Sequence, residues 1–174
     1  MRRQTLNTMT KLAAVLAIAA VDAYSEERRA EPSADGQRIL ISISDRKLVL
    51  LNGDRIVRIY DVAVGKPSTP TPEGEFRIVN HVTNPTYYGH GVVVAPGKDN
   101  PLGTRWMGLS ATGYGIHGTN VPTSIGHAAS HGCIRMRQAD LEELFDLVKV
   151  GVTVELRGES AAPLEQVFAL TSAN

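Results

Sequence analysis

The sequence predicts a mostly β domain with one main α-helix. Two observations carry that reading. From Arg38 onward, short apolar segments alternate or cluster between turn residues, and only one stretch, near the C-terminal end, repeats its apolar residues with helical spacing.

The elements follow in order. The segment RILISIS places apolar residues at Ile39, Ile41 and Ile43, and the run KLVLL resumes after Asp45, which reads as a hairpin. Asn52-Gly53 then separates KLVLL from RIVRIYDVAV, and this dipeptide favours a type I′ turn between paired strands. Pro67, Pro70 and Pro72 exclude both helix and central strand from GKPSTPTPEGEF. Strands are expected again at FRIVNHV and GVVVAP, then in short segments from Trp106 to Leu109 and from Tyr114 to His117. Leu141, Leu144, Phe145 and Val148 recur at i, i+3, i+4 and i+7, so a helix spans Gln138 to Lys149 and Gly151 stops it. A closing strand, VTVEL, follows, and residues 158–174 read as a tail or a short accessory helix.

Of the 174 residues, 43% are apolar, enough for one domain with a real core. With 18 basic and 18 acidic residues well mixed along the chain, no basic stripe exists to neutralise a nucleic-acid backbone, so nucleic acid is not an expected partner. Arg2, Arg3 and Lys11 precede the apolar run LAAVLAIAAV, which gives way to SEERRAEPSADG. That layout predicts a secretory signal over residues 1–23, cleaved after Ala23 with Ala20 as the alternative, followed by a linker over 24–36. Ten apolar residues make a helix of roughly 15 Å, half the hydrocarbon thickness, so no stable membrane span is expected.

Cys133 is the single cysteine, so it cannot form an internal disulfide. A lone thiol in an exported chain is buried and inert, pairs with another chain, or is kept for its reactivity. Its surroundings, YGIHGTNVPTSIGHAASHGCIRMR, place His117, His127 and His131 within 16 residues of it. An imidazole is able to take a thiol proton near neutral pH, which is the arrangement of a Cys/His nucleophile and base. Gly132 permits a crowded backbone whose N–H groups converge on an oxyanion. Arg135 is able to grip a substrate carboxylate and to favour a thiolate. The three histidines with Cys133 also offer four ligands to zinc, but spacings of ten, four and two residues fit no compact zinc motif. No metal and no cofactor are expected. Ser124 and Ser130 lack a G-x-S-x-G context and read as loop hydrogen-bonding residues, and His81 and His90 as surface residues.

The motifs IHGTN, SIG and SHGCIRM resemble the signature of the L,D-transpeptidase catalytic domain of the YkuD type, and the resemblance extends over residues 37–157. It implies a β-sandwich or irregular barrel with the cysteine in a cleft. It also implies that Cys133 is the nucleophile, His117 its base, and the Gly118 carbonyl the group that orients the imidazole. The N–H groups of Gly132 and Cys133 then form the oxyanion hole, His131 and Arg135 contact substrate, and His127 has no role. The implied partners are peptidoglycan tetrapeptide stems as acyl donors, with a second stem or an anchored lipoprotein as acceptor. Water as acceptor gives an L,D-carboxypeptidase, and carbapenems acylate the same thiol. The implied location is the periplasm or cell wall. Rival readings are a catalytically silent wall-binding module, a thiol redox protein, which the missing resolving cysteine disfavours, and an ordinary cysteine protease.

Overall fold

The computed structural model describes residues 36–89 and 91–159. The expected signal segment, most of the linker, His90 and residues 160–174 therefore lie outside the described residues. Among the described residues there are eleven strands, one α-helix and a short 3-10 helix at Pro122–Ser124: β1 Gln37–Ser42, β2 Lys47–Asn52, β3 Arg55–Gly65, β4 Gly74–Thr83, β5 Tyr87–Gly89, β6 Val92–Val94, β7 Arg105–Leu109, β8 Gly115–His117, β9 Ala128–Ser130, β10 Ile134–Met136, α1 Gln138–Leu147 and β11 Thr153–Arg157. Among the described residues, no helix is long and apolar enough to cross a membrane.

Alternation at Ile39 and Ile41 does produce a strand, and β1, β2 and β3 form an antiparallel meander. The turn between β2 and β3 differs from the expected type I′ pair. Asn52 stays in the ladder opposite Arg55, so Gly53 and Asp54 are the two loop residues, and only Gly53 has a positive φ, of 57°. The β1–β2 hairpin is buried on both faces. Ile39, Ile41, Leu48 and Leu50 enter the main core, while Leu40, Val49 and Leu51 form a second cluster with Ile56.

Nine strands make one sheet in the order β10-β8-β7-β4-β11-β1-β2-β3-β9, and β10 also pairs with β3. That extra pairing closes the sheet into a barrel-like sandwich. The closure depends on the length of β3: residues up to Asp61 pair with β2, Val62 and Ala63 pair with β10, and Val64 and Gly65 pair with β9. The first and last described strands meet in the interior of the sheet, because β1 runs parallel to β11. The expected strand at GVVVAP is present as β6, yet it pairs with β5 alone and forms a separate two-stranded hairpin.

The helix packs Leu141 and Leu144 into the core, as its spacing requires. It ends at Leu147, two residues earlier than expected. Val148 is extended (φ −113°, ψ 160°), which keeps its side chain in the core while the backbone turns toward β11. His81 also departs from its expected surface role. It is half-buried beneath the helix, with its ring 4.3 Å from that of Phe145 and its Nε2 buried without a hydrogen-bond partner. Burial holds its pKa below the ordinary 6.5.

Because Leu141 is fully enclosed by this core, Leu141→Ala is expected to lower unfolding stability by about 2–5 kcal/mol, read as a reduced urea midpoint with little change in slope.

Candidate active site

One rung of side chains across the closed sheet forms the floor of a cleft. Val82 on β4 lies opposite Trp106 on β7, Trp106 opposite His117 on β8, and His117 opposite Arg135 on β10. Because strand side chains alternate, the next rung, Met107, Ile116 and Ile134, points the other way into the core. The cleft-facing side is thus the reverse of a packed hydrophobic layer. The cleft, of about 870 Å³, is lined by that floor together with Cys133, His131 and β5 with the residues just before it.

His117 is buried, at 5% exposure. Its Nδ1 lies 2.7 Å from the Gly118 carbonyl oxygen. A carbonyl only accepts, so Nδ1 carries the proton and Nε2 is left as the basic nitrogen. The Trp106 ring stacks beside the imidazole with centroids 5.6 Å apart. Burial and, secondarily, the Arg135 cation push the His117 pKa down to about 4, against the pull of the Gly118 carbonyl. His117 is therefore a neutral imidazole across the physiological range.

Cys133 is half-buried directly before β10, and its thiol donates to the Gly113 carbonyl at 3.6 Å. Burial raises its pKa above the ordinary thiol value, while the Gly115 N–H and the Arg135 cation oppose that rise. The resting pair is thus a neutral thiol and a neutral imidazole, with Arg135 acting on both. Among the described residues, Arg135 forms no ion pair with a carboxylate. His131 is exposed at the cleft wall. His127, also exposed, is not among the lining residues.

The loop carrying the thiol is tied down by hydroxyls. Ser130 Oγ donates to the Cys133 carbonyl at 2.6 Å and accepts from the Gly132 N–H at 3.0 Å. Thr71 Oγ1 donates to the Gly132 carbonyl at 2.9 Å and accepts from the Gly65 N–H at 2.8 Å. Both polar groups of the Gly132 backbone are thereby engaged, so the resting geometry does not present its N–H to an incoming oxyanion. Glycine is required at this position for two reasons: φ is +111°, and a Cβ would lie 2.6 Å from the Tyr114 ring. Ser124 Oγ donates to the Val121 carbonyl, so both serines serve loops as their context suggested.

A second set of contacts holds the backbone after His117. The Gly118 N–H donates to the Leu102 carbonyl at 2.8 Å, and a Cβ at Gly118 would meet Gln138 Oε1 at 2.9 Å and Leu102 O at 3.0 Å. Gln138, at the start of α1, also bonds Thr104, whose hydroxyl donates to Glu142 Oε1 at 2.5 Å. Sequence reasoning did not single out Thr71, Asn100, Trp106 or Gln138. Asn100-Pro101 carries a turn signal, and Trp106 is the only tryptophan, but neither fact indicates what the side chain holds.

Residues 36–156 match the sequence profile of the YkuD family, described as the L,D-transpeptidase catalytic domain. The chain belongs to this family. It is 44% identical over 125 residues to the YkuD protein of Bacillus licheniformis, covering 72% of this chain and 68% of that one. It is 40% identical over 126 residues to the YkuD protein of Bacillus subtilis, covering 72% and 69%. Among solved structures, a cysteine-to-serine mutant of an Enterococcus faecium L,D-transpeptidase superposes with a TM-score of 0.61 at 26% identity, over 70% of this chain and 50% of that one. A Mycobacterium smegmatis L,D-transpeptidase superposes with a TM-score of 0.61 at 20% identity, covering 71% of this chain and 59% of that one, a likeness of fold. The chain thus spans 50% and 59% of the lengths of these solved structures.

Two outcomes follow from the site. Thr71→Val keeps the shape but leaves the Gly65 N–H and the Gly132 carbonyl unsatisfied, so a loss of about 1–3 kcal/mol is expected in chemical denaturation. His117 has a folded pKa of about 4 against an ordinary 6.5, so the unfolded chain binds more protons between those values. Its contribution to stability is complete above pH 6.5 and is lost as pH falls toward 4, by roughly 3 kcal/mol. Denaturation curves at pH 7 and pH 4.5 should show a smaller difference for His117→Gln than for the native sequence.

Proposed function

We propose that the protein is a cysteine-dependent L,D-transpeptidase that acts on peptidoglycan tetrapeptide stems outside the cytoplasm. The observation that carries this reading is one cleft holding the Cys133 thiol, an imidazole fixed with Nε2 free of its proton, and an Arg135 cation with no carboxylate partner among the described residues. Family membership supports the reaction class, and the N-terminal sequence pattern supports export.

The donor stem lies along the cleft with a carboxylate against Arg135 and His131 beside it. Cys133 Sγ attacks the carbonyl carbon of the third stem residue as its proton passes to His117 Nε2. Because the resting groups are both neutral, charge separates only as the new S–C bond forms. Arg135 and the Gly115 N–H favour the sulfur anion, and the Gly118 carbonyl favours the imidazolium. The Cys133 N–H receives the oxyanion, joined by Gly132 N–H once its bond to Ser130 Oγ is exchanged. Collapse breaks the C–N bond, and the departing D-Ala amine takes the proton from His117, leaving a thioester. An acceptor amine then loses a proton to His117 as it attacks the thioester, and the sulfur departs as the new amide forms, taking that proton back from His117 to restore the thiol. The acceptor is an amine of a second stem or of an anchored lipoprotein. Water in its place gives L,D-carboxypeptidase activity.

Intact-mass spectrometry of the protein with a carbapenem and, separately, with a disaccharide tetrapeptide tests the proposal. A single covalent adduct is expected on the native protein and none on Cys133→Ala, whose turnover should fall roughly a thousandfold or more. His117→Gln should slow acylation by roughly 10²- to 10⁴-fold. Cross-linked dimer among the products identifies a stem acceptor, and tripeptide alone identifies water. A folded native sample giving neither adduct nor product refutes the reading, and wall binding that survives Cys133→Ala would then make the silent module the better account.

A further inference from the structure

Asn100 is 1% exposed and lies outside the reacting groups, yet every polar atom of its side chain is committed. Its Nδ2 donates to three carbonyl oxygens, those of Pro85 at 2.9 Å, Val94 at 3.1 Å and Ala95 at 3.2 Å. Its Oδ1 accepts from the Leu102 N–H at 2.8 Å. Three acceptors on one side and a donor on the other fix the orientation of the carboxamide without ambiguity.

The positions of those partners give the contact its meaning. Pro85 lies just before β5, while Val94 ends β6 and Ala95 follows it, so Nδ2 binds both feet of the hairpin whose β5 strand walls the cleft. Among the described residues, that hairpin pairs with no other strand. On the opposite side, Leu102 is the residue whose carbonyl accepts the Gly118 N–H, and the Gly118 carbonyl in turn holds His117 Nδ1. The same loop is braced a second time by Asn120 Nδ2, which donates to the Asp99 carbonyl at 3.1 Å. Two hydrogen bonds beyond Leu102 therefore separate Asn100 from the imidazole, and one separates it from the substrate-facing wall.

We infer that Asn100 is a positioning residue that joins the β5–β6 hairpin and the backbone orienting His117 into one unit, so that the wall of the cleft and the base are set together. The inference rests on the acyl-transfer reading for the reaction it serves. The asparagine side chain suits this task because it supplies two N–H groups and one acceptor within a single rigid plane. Aspartate has the same shape but brings only oxygen toward three carbonyls, which removes the tie and replaces it with repulsion. The contact to Leu102 remains available to it.

The test compares Asn100→Asp and Asn100→Ser with the native protein, using the folded fraction to normalise every rate. For either variant that folds, kcat for the tetrapeptide and the rate of carbapenem acylation are expected to fall roughly ten- to a hundredfold, in line with the cost of misplacing a catalytic group. KM should rise in parallel, because the wall moves as well. The His117 Nδ1–H resonance, observed by 15N-resolved NMR, should shift and exchange faster with solvent. A purely structural role would lower the melting temperature and leave these per-molecule readouts at native values, and that result would overturn the inference. Should neither variant fold, the native protein supplies the answer. The Asn100 side-chain amide protons, the Gly118 N–H and the His117 Nδ1–H are expected to share one opening free energy once each exchange rate is corrected for its intrinsic value, and unrelated opening free energies would overturn it. Absence of acylation in the native protein would defeat the proposed reaction while leaving the NMR result to decide the role of Asn100.

Discussion

The pairing of β10 with two strands at once is the constraint from which the site follows. Ile134 to Met136 is a short strand with little ladder of its own, yet it lies parallel to β8 on one side and antiparallel to β3 on the other. That double pairing fixes Arg135 opposite His117 and sets Cys133, one residue before the strand begins, beside Gly113 and Gly115. Cys133 and His117, 16 residues apart in sequence, are thereby brought together, His117 on β8 and Cys133 on the loop that leads into the neighbouring strand β10. Strand positions tolerate less displacement than loop positions, so the double pairing of β10 anchors the end of that loop.

Burial sets the electrostatic character of the site. Cys133 and His117 are each neutral at rest: at Cys133 burial outweighs the Gly115 N–H and the Arg135 cation, and at His117 burial, joined by that cation, outweighs the Gly118 carbonyl. Arg135 has opposite consequences for the two partners: it favours a sulfur anion and disfavours an imidazolium. At rest Cys133 and His117 are therefore not a pre-formed ion pair. The hydrogen bond from Nδ1 to the Gly118 carbonyl performs the orienting task for which many cysteine and serine enzymes use a side-chain carboxylate or amide.

Much of this was legible in the sequence because it rests on local patterns. Alternation at Ile39 and Ile41, the prolines between Gly65 and Gly74, and helical spacing at Leu141 and Leu144 each report directly on backbone geometry. The SHGC and IHGT segments likewise carry the chemistry of the site in their residue types. The strands β9 and β10 were not legible, because three residues give no period and their pairing is decided by distant partners. Thr71 and Asn100 were equally hidden: a polar side chain in a proline-containing loop gives no sign of which remote carbonyl it will meet. The early end of α1 and the burial of His81 have the same origin, since tertiary packing overrode local preference at Val148 and beneath Phe145.

The parallel pairing of β1 with β11 has a consequence for how the chain reaches this state. Arg38 to Ser42 pair with Thr153 to Arg157, and β11 also supplies the edge that β4 needs. A nascent chain ending before residue 153 leaves β1 and β4 with exposed edges in the middle of the future sheet. Such non-local closure must wait for the last strand, so folding is expected to be slow, to begin in earnest only once the whole domain has emerged, and to depend in the interval on whatever keeps those edges apart.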